Sequence, residues 1–332
     1  MLLEIEHHMC FTYDQFVRES HMELRIEPRS QTEQTLHEFH LALGPPTRIT
    51  RHEDWMGNTV HWFSITDYHK RIELLIQSVV EVHPLPNVRV IDDPLPTEQA
   101  NDSSGQKAST TDQMALYDFT LLTGPVIDSE KLRALHSELN LSGCDTLGTL
   151  ITTLGEGLYS RFTYEQNVTN YASTTEDFIK AGAGVCQDFA HIALAMLRLS
   201  KVPCRYVSGY LHVEDQANSP SQSHAWIEFY SPSQGWIAFD PTHNVHPNEF
   251  YATVAYGRNY NDVPPNKGIY QGNAKETLEA HVVTRPSARQ EPIRIREESY
   301  LDLPVYQELP ESERPMGRNT AGEAAASQQQ QQ

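Results

Sequence analysis

Hydrophobic residues recur at every second position early in this chain and at every third or fourth position later, so a fold built on one rhythm alone cannot hold it. From Leu2 to about Pro84 the runs are Met22, Leu24 and Ile26; Phe39, Leu41 and Leu43; His61, Phe63 and Ile65; and Ile72, Leu74, Ile76, Ser78, Val80 and Val82. A period of two places each set on one face of a strand. Pro28-Arg29-Ser30, Gly44-Pro45-Pro46 and Gly57-Asn58 supply the turns between them. Half-apolar strands in succession need a second sheet to cover them, which predicts an antiparallel β-sandwich-like domain. Helical spacing then takes over. Ser129 caps a stretch at 131–139 with Leu132, Leu135 and Leu139 on one face, Leu147, Leu150, Ile151 and Leu154 follow, and Thr174 or Thr175 opens a short helix through Phe178 and Ile179. The class is therefore α+β.

The chemistry centres on Gly182-Ala183-Gly184-Val185-Cys186-Gln187-Asp188-Phe189-Ala190-His191, a glycine-flexed turn running into an apolar helix. Phe189, Ile192, Ala193, Met196 and Leu197 keep the i, i+3, i+4, i+7, i+8 rhythm of a buried helical face, which puts Cys186 in the first turn. Unpaired backbone N–H groups and the positive pole of the macrodipole at a helix start favour an anion and can hold a developing oxyanion. A nucleophilic thiol fits there, and so does a small buried hydrophobe, the commoner fate of an isolated cysteine.

Downstream residues favour the nucleophile. After a strand over 202–210 comes Ser223-His224-Ala225-Trp226-Ile227-Glu228-Phe229-Tyr230, with His224, Trp226 and Glu228 on one strand face, and then Gly235-Trp236-Ile237-Ala238-Phe239-Asp240-Pro241-Thr242, a short strand stopped by proline. A helix followed by an antiparallel pair can bring thiol, imidazole and carboxylate to one edge. In a Cys186-His224-Asp240 arrangement His224 takes and returns the thiol proton while Asp240 fixes the ring's tautomer.

Four motifs, Gly184-Val185-Cys186-Gln187-Asp188-Phe189, Pro203-Cys204-Arg205 leading to Gly209-Tyr210, His224-Ala225-Trp226-Ile227-Glu228, and Gly235 to Thr242, resemble the transglutaminase-like superfamily, and more closely its bacterial transglutaminase-like cysteine protease branch. The resemblance is dense from Thr174 to Asn244 and looser from the N-terminus to about Val283; Cys204 stands where the family often has a smaller residue. It implies a papain-like, transglutaminase-like core in which the cysteine helix packs on an antiparallel sheet, with Cys186, His224 and Asp240 at the three catalytic positions. It also implies acyl transfer on amide bonds through a thioester, to water or to an amine. A protein-binding module that keeps the fold without turnover is the alternative.

Other residues near the motifs are weighed on geometry. His191, five positions past Cys186, points about 140° away around a helix at ~100° per residue and is structural. Asp188 suits a helix start as a cap. Gln187, Trp226, Tyr164 and Tyr210 are weaker candidates for oxyanion or substrate contacts, as is Tyr171, while a backbone N–H of Cys186 or Gln187 is the better oxyanion donor. His224, Asp240, His243 and His246 could form a metal site, but that leaves Cys186 at its helix end unexplained. The histidines of the first domain lie on different strands and turns without ligand spacing, and no carboxylate pattern suits calcium. No metal or other cofactor is expected.

The 332 residues carry a net charge of −19, which disfavours nucleic acid and anionic membrane surfaces as partners, and the resemblance implies a protein or peptide substrate. Cys10, Cys144, Cys186 and Cys204 show no Cys-x-x-Cys spacing and read as reduced thiols. Without an apolar run of spanning length or a basic, apolar leader, the expected address is cytoplasmic. Four segments are expected: 1–93, the β-domain; 94–113, a polar linker or mobile loop; 114–284, the catalytic core with C-terminal strands at 251–256 and 277–283; and 285–332, a polar tail ending in five glutamines and largely disordered.

Overall fold

The computed structural model describes residues 1–83, 91–96, 114, 116–213, 222–287, 302–310, 313 and 321–324. Five strands come first: β1 (Leu2–Leu24), β2 (Gln34–Gly44), β3 (Ile49–Glu53), β4 (Thr59–Ile65) and β5 (His69–Val82). The helical half follows with α1 (Glu130–Glu138), α2 (Leu147–Arg161), the short β6 (Thr163–Tyr164), α3 (Thr175–Ala181), the short β7 (Ala183–Gly184) and α4 (Cys186–Leu199). Then come β8 (Cys204–Leu211), β9 (Gln222–Ser231), β10 (Gly235–Phe239), β11 (Tyr251–Gly257), β12 (Asn266–Gln271), β13 (Glu276–Pro286) and β14 (Ala321–Ala324).

β1 is long enough to serve two leaves of one curled antiparallel sheet. Its first half pairs with β5, from Leu2↔Glu81 to Thr12↔Arg71, and its second half with β4, from Ser20↔Ile65 to Leu24↔His61. The register shifts between Thr12 and Val17, and Glu19 takes a left-handed φ of 51°, so the strand bends where it changes leaf. Met9 and Phe11 from the first half, Met22 and Leu24 from the second, and Phe63, Ile72, Leu74 and Ile76 form one buried cluster between the leaves. This is the expected sandwich-like domain, and most of the alternating residues that predict it line its interior, while Val80 and Val82 pack into the core that holds α4.

The boundary of that domain is not the expected one. β13 lies along β1 from Leu3↔Pro286 to Tyr13↔Glu276, and β12 pairs with its second half from Arg18↔Gln271 to Leu24↔Asn266. β12 and β13, and with them the expected strand at 277–283, thus belong to the first domain rather than to the core, because both edges of so long a strand need hydrogen-bond partners, whereas the expected strand at 251–256 is β11 and pairs with β8 of the core. Part of the tail also returns: Tyr306 bridges Tyr68 through two 2.9 Å backbone bonds, Leu309 is buried, and β14 pairs with β12. The rest of the expected disordered tail, and the linker beyond residue 96, lie outside the described residues.

In the core, β10-β9-β8-β11 form an antiparallel sheet. The helices start where their caps predict: Ser129 accepts from Leu132 N–H at 3.2 Å, and Thr146 and Thr174 each exchange bonds with the residue three positions on. α4 differs from expectation in being buried on every side rather than along one face, since β8 and β9 lie against it and α1, α2 and α3 pack around it. This encirclement brings polar side chains inside, among them Arg198 and His191. Arg198 donates to the carbonyls of Phe119, Leu121, Cys204 and Arg258, while His191 Nε2 accepts from Tyr260 N–H at 3.1 Å. Burial, and then the Arg198 charge, pulls the His191 imidazole down to about 3, so it is a neutral structural acceptor.

Candidate active site

β7 delivers the chain to the start of α4. It pairs in parallel with β6, Tyr164 opposite Gly184, and the next residues are Val185 and Cys186. Asp188 closes this turn as its sequence position predicts: its Oδ2 accepts from Val185 N–H at 2.9 Å and from the Thr169 hydroxyl at 2.6 Å. A Cβ on Gly184 would stand 2.4 Å from that Asp188 oxygen and 2.9 Å from the Phe178 ring, so only glycine lets the carboxylate reach back. Burial outweighs these hydrogen bonds and raises the Asp188 carboxyl to about 6. The first intrahelical donors are Asp188 and Phe189, both to Val185 O, so the N–H groups of Cys186 and Gln187 precede the helical ladder.

His224 and Asp240 come from adjacent strands of the core sheet. Gly209 on β8 faces His224 on β9, and the Trp226 ring lies over Gly209, where a Cβ would meet the indole at 2.4 Å. The indole also lies nearly parallel to the imidazole, at 28° with centroids 6.1 Å apart. Asp240 follows β10 directly, has no solvent exposure, and is fixed by a two-way backbone bridge to Val245. Its Oδ2 meets His224 Nε2 at 2.7 Å, leaving Nδ1 as the other ring nitrogen, and the Cys186 thiol lies near enough to act electrostatically on the ring. Helix, strand and strand therefore bring Cys186, His224 and Asp240 together, all buried.

Burial opposes a charged imidazole at His224, but the Asp240 carboxylate and then the Cys186 thiol overcome it and raise the ring to about 10. Asp240 is held well below the usual carboxylate range, because the two histidines facing it outweigh the burial that acts the other way. At neutral pH the pair is an imidazolium bonded to a carboxylate.

Two partners of Asp240 have no counterpart in the four sequence motifs. The Tyr251 hydroxyl donates to Oδ2 at 2.9 Å and His243 Nδ1 meets the same oxygen at 2.7 Å, while the N–H groups of Thr242 and His243 reach Oδ1 at 2.9 and 3.4 Å. Tyr251 lies on β11, with two strands between it and β10, and no local pattern marks it. His243 appears in the sequence only as a possible metal ligand. His224, Asp240 and His243 do place three ligand atoms within 4.8 Å of one another, whereas His246 turns its Nδ1 to Ala238 O at 2.7 Å and stands outside that group.

The weaker candidates separate. Tyr164 is half-exposed beside the cysteine turn, and burial followed by the nearby Cys186 charge pushes its hydroxyl well above the usual range. Gln187 is buried and its Nε2 donates to Tyr171 O at 3.1 Å, so it holds the 164–173 loop instead of facing an oxyanion. Tyr210 turns to the first domain, where its hydroxyl meets His7 Nδ1 at 2.9 Å, because neighbouring strand residues point to opposite faces. Trp226 backs the imidazole and is fully buried. Behind it a cavity of about 600 Å³ opens towards the first domain, lined by Gln34, Arg205, Glu228, Tyr251 and Tyr256 among others but not by Cys186.

Residues 141–241 match the family described as Transglutaminase-like superfamily, and residues 3–81 match the Bacterial transglutaminase-like N-terminal region. An uncharacterized protein of Mycobacterium leprae is 31% identical over 290 residues, covering 85% of this chain and 98% of its own. A protein-glutamine gamma-glutamyltransferase of Pseudomonas aeruginosa is 28% identical over 131 residues, 37% of this chain and 20% of its own. A candidate cysteine protease from Cytophaga hutchinsonii has the same fold, with a TM-score of 0.68 over 89% of this chain and 94% of its own, at 20% identity.

Proposed function

Since the chain belongs to the transglutaminase-like superfamily and carries the bacterial N-terminal region of that family, we propose that it is a cysteine-dependent acyltransferase or hydrolase acting on amide bonds. The observation that carries this reading is the His224 ring bonded to buried Asp240 with the Cys186 thiol near enough to act on the same ring. Cys186 is the nucleophile, His224 the base and then the acid, and Asp240 the group that holds the ring.

In the first step the Cys186 sulfur adds to the amide carbonyl as a thiolate, its proton already held on Nδ1 of the His224 imidazolium. The oxygen that becomes negative lies at the start of α4, where the N–H groups of Cys186 and Gln187 are the available donors. His224 next protonates the departing amine and a thioester remains on Cys186. Water or a primary amine then attacks, with His224 taking its proton, and the acid or new amide is released. The likeness of the core to a glutamyltransferase supports amine transfer, and the likeness of fold to a candidate cysteine protease supports hydrolysis. Tyr164, half-exposed beside the cysteine turn, is the residue we assign to substrate contact.

Mass spectrometry after incubation with glutamine- and peptide-based acyl donors, with and without a primary amine, tests the proposal. A thioester adduct on Cys186 is expected, and amine-dependent products select transfer over hydrolysis. Absence of both adduct and turnover across the panel would instead favour a binding module.

A further inference from the structure

The geometry points to a second property of the same residues: His224, Asp240 and His243 form a binding site for one zinc-class divalent transition-metal ion, and a metal held there silences Cys186 without touching its sulfur. The metal site follows from side-chain placement alone, while the silencing rests on the proposed function.

Both imidazoles already aim a nitrogen at one carboxylate oxygen, His224 Nε2 and His243 Nδ1 each 2.7 Å from Asp240 Oδ2. Two imidazoles and one carboxylate suit zinc, cobalt or nickel and not calcium or magnesium, which prefer all-oxygen shells. Bonds of about 2.0–2.2 Å to a tetrahedral ion require the donors to part by roughly half an ångström. The group free to make that move is His243, whose side chain is 50% exposed, whereas His224 is hemmed in by Trp226 and Tyr251. The carboxylate is already oriented by Thr242 N–H and the Tyr251 hydroxyl, the outer-shell support a ligating carboxylate needs. Solvent reaches the site at His243, which gives an entry path and leaves a fourth position for water.

Binding at His224 Nε2 expels the Nε2 proton to solvent, and His243 moves its own proton from Nδ1 to Nε2. The His224 ring then has one proton left, on Nδ1 towards Cys186. Surrendering that last proton to a leaving amine would leave an imidazolate, so the ring can no longer serve as the acid. Cys186 is not among the three ligand groups.

Zinc titration calorimetry on tag-free protein tests the site without reference to turnover. His243→Asn can keep a hydrogen bond to Asp240 but is a poor zinc ligand. It should weaken binding by more than the roughly 10–100-fold that outer-shell changes cost, while Cys186→Ala should bind one equivalent within about twofold of the parent. Thermal melts establish that both variants are folded. Unchanged affinity in His243→Asn overturns the site, as does loss of binding in Cys186→Ala together with a thiolate-to-cobalt charge-transfer band in the parent. An inactive chain that binds zinc in this pattern refutes the proposed function and leaves the site standing. In an active chain, zinc inhibition undiminished in His243→Asn overturns the silencing.

Discussion

Replacing Asp240 by asparagine removes the charge that holds the His224 proton, and the size of the effect follows from the ring's elevation. A rise from 6.5 to about 10 corresponds to about 5 kcal/mol of preference for the imidazolium, at 1.36 kcal/mol per unit. Removing one partner of a buried ion pair costs about 3–5 kcal/mol, so the two routes agree. Because the folded value is raised, this stability is fully present below 6.5 and is lost as pH climbs through about 10. The parent should therefore exceed Asp240→Asn by about 3–5 kcal/mol in denaturant unfolding below pH 6.5, and the gap should narrow above pH 10. Activity should fall as well. The amide can present N–H where the carboxylate accepted from His224, which turns the ring to the tautomer that carries hydrogen on Nδ1 and cannot receive the thiol proton. By analogy with serine triads the loss could approach about 10⁴-fold, and less if the amide oxygen takes the ring. A stability gap of the same size at both ends of the pH range would show that Asp240 does not hold the His224 proton.

Four further outcomes are expected. Cys204, fully buried and pushed up to about 11 chiefly by burial, should resist iodoacetamide in the native protein at neutral pH, whereas Cys186 should label and should label more slowly in His224→Ala; peptide mapping of the label checks both. Gly184→Ala forces a Cβ against two buried groups, Asp188 and Phe178, and should cost about 1–3 kcal/mol in thermal or denaturant unfolding. Tyr251→Phe removes one donor from Asp240 Oδ2 and should cost about 0.5–3 kcal/mol, the upper end applying to a bond made to a charged group. Combining His224→Ala with Asp240→Asn should lower turnover little beyond His224→Ala alone, since the two act through one ring; losses that multiply would place Asp240 in some other role.

The parts legible in the sequence are those governed by local rules. The alternation from Met22 to Ile76 marks residues that mostly end up between the sheet leaves, while Val80 and Val82 pack into the core that holds α4, and Ser129 and Thr174 cap helices where their spacing places them. Asp188 is a cap because a carboxylate three residues past a turn reaches back to the turn's N–H, a relation contained within four residues. Cys186, His224 and Asp240 could be found because each sits at the end of an element whose limits are marked by glycine or proline. Tyr210 and Gln187 could not be assigned in the same way: one strand position reverses a side chain, and Gln187 finds its acceptor in a loop sixteen residues earlier.

What escaped the sequence is set by contacts between distant segments. β13 pairs with β1 across nearly the whole chain, and its own alternation says that it is a strand without saying whose edge it covers. The same holds for Asp240. Its place at the end of β10 predicts one partner, His224, yet the folded oxygen pair receives five donors, from β9, from β11 and from the turn that follows it. Those extra donors offset the cost of burying a carboxylate with no solvent exposure, and so let it hold a charged imidazole away from water. Tyr251 reaches Asp240 because β8 pairs β11 on one side and β9 on the other, and β9 in turn pairs β10, so the hydroxyl crosses from the far end of the sheet beneath His224 and Trp226. The motif residues supply the thiol, the imidazole and the carboxylate, and the sheet order, through a residue that carries no motif, fixes the charge that holds the His224 proton.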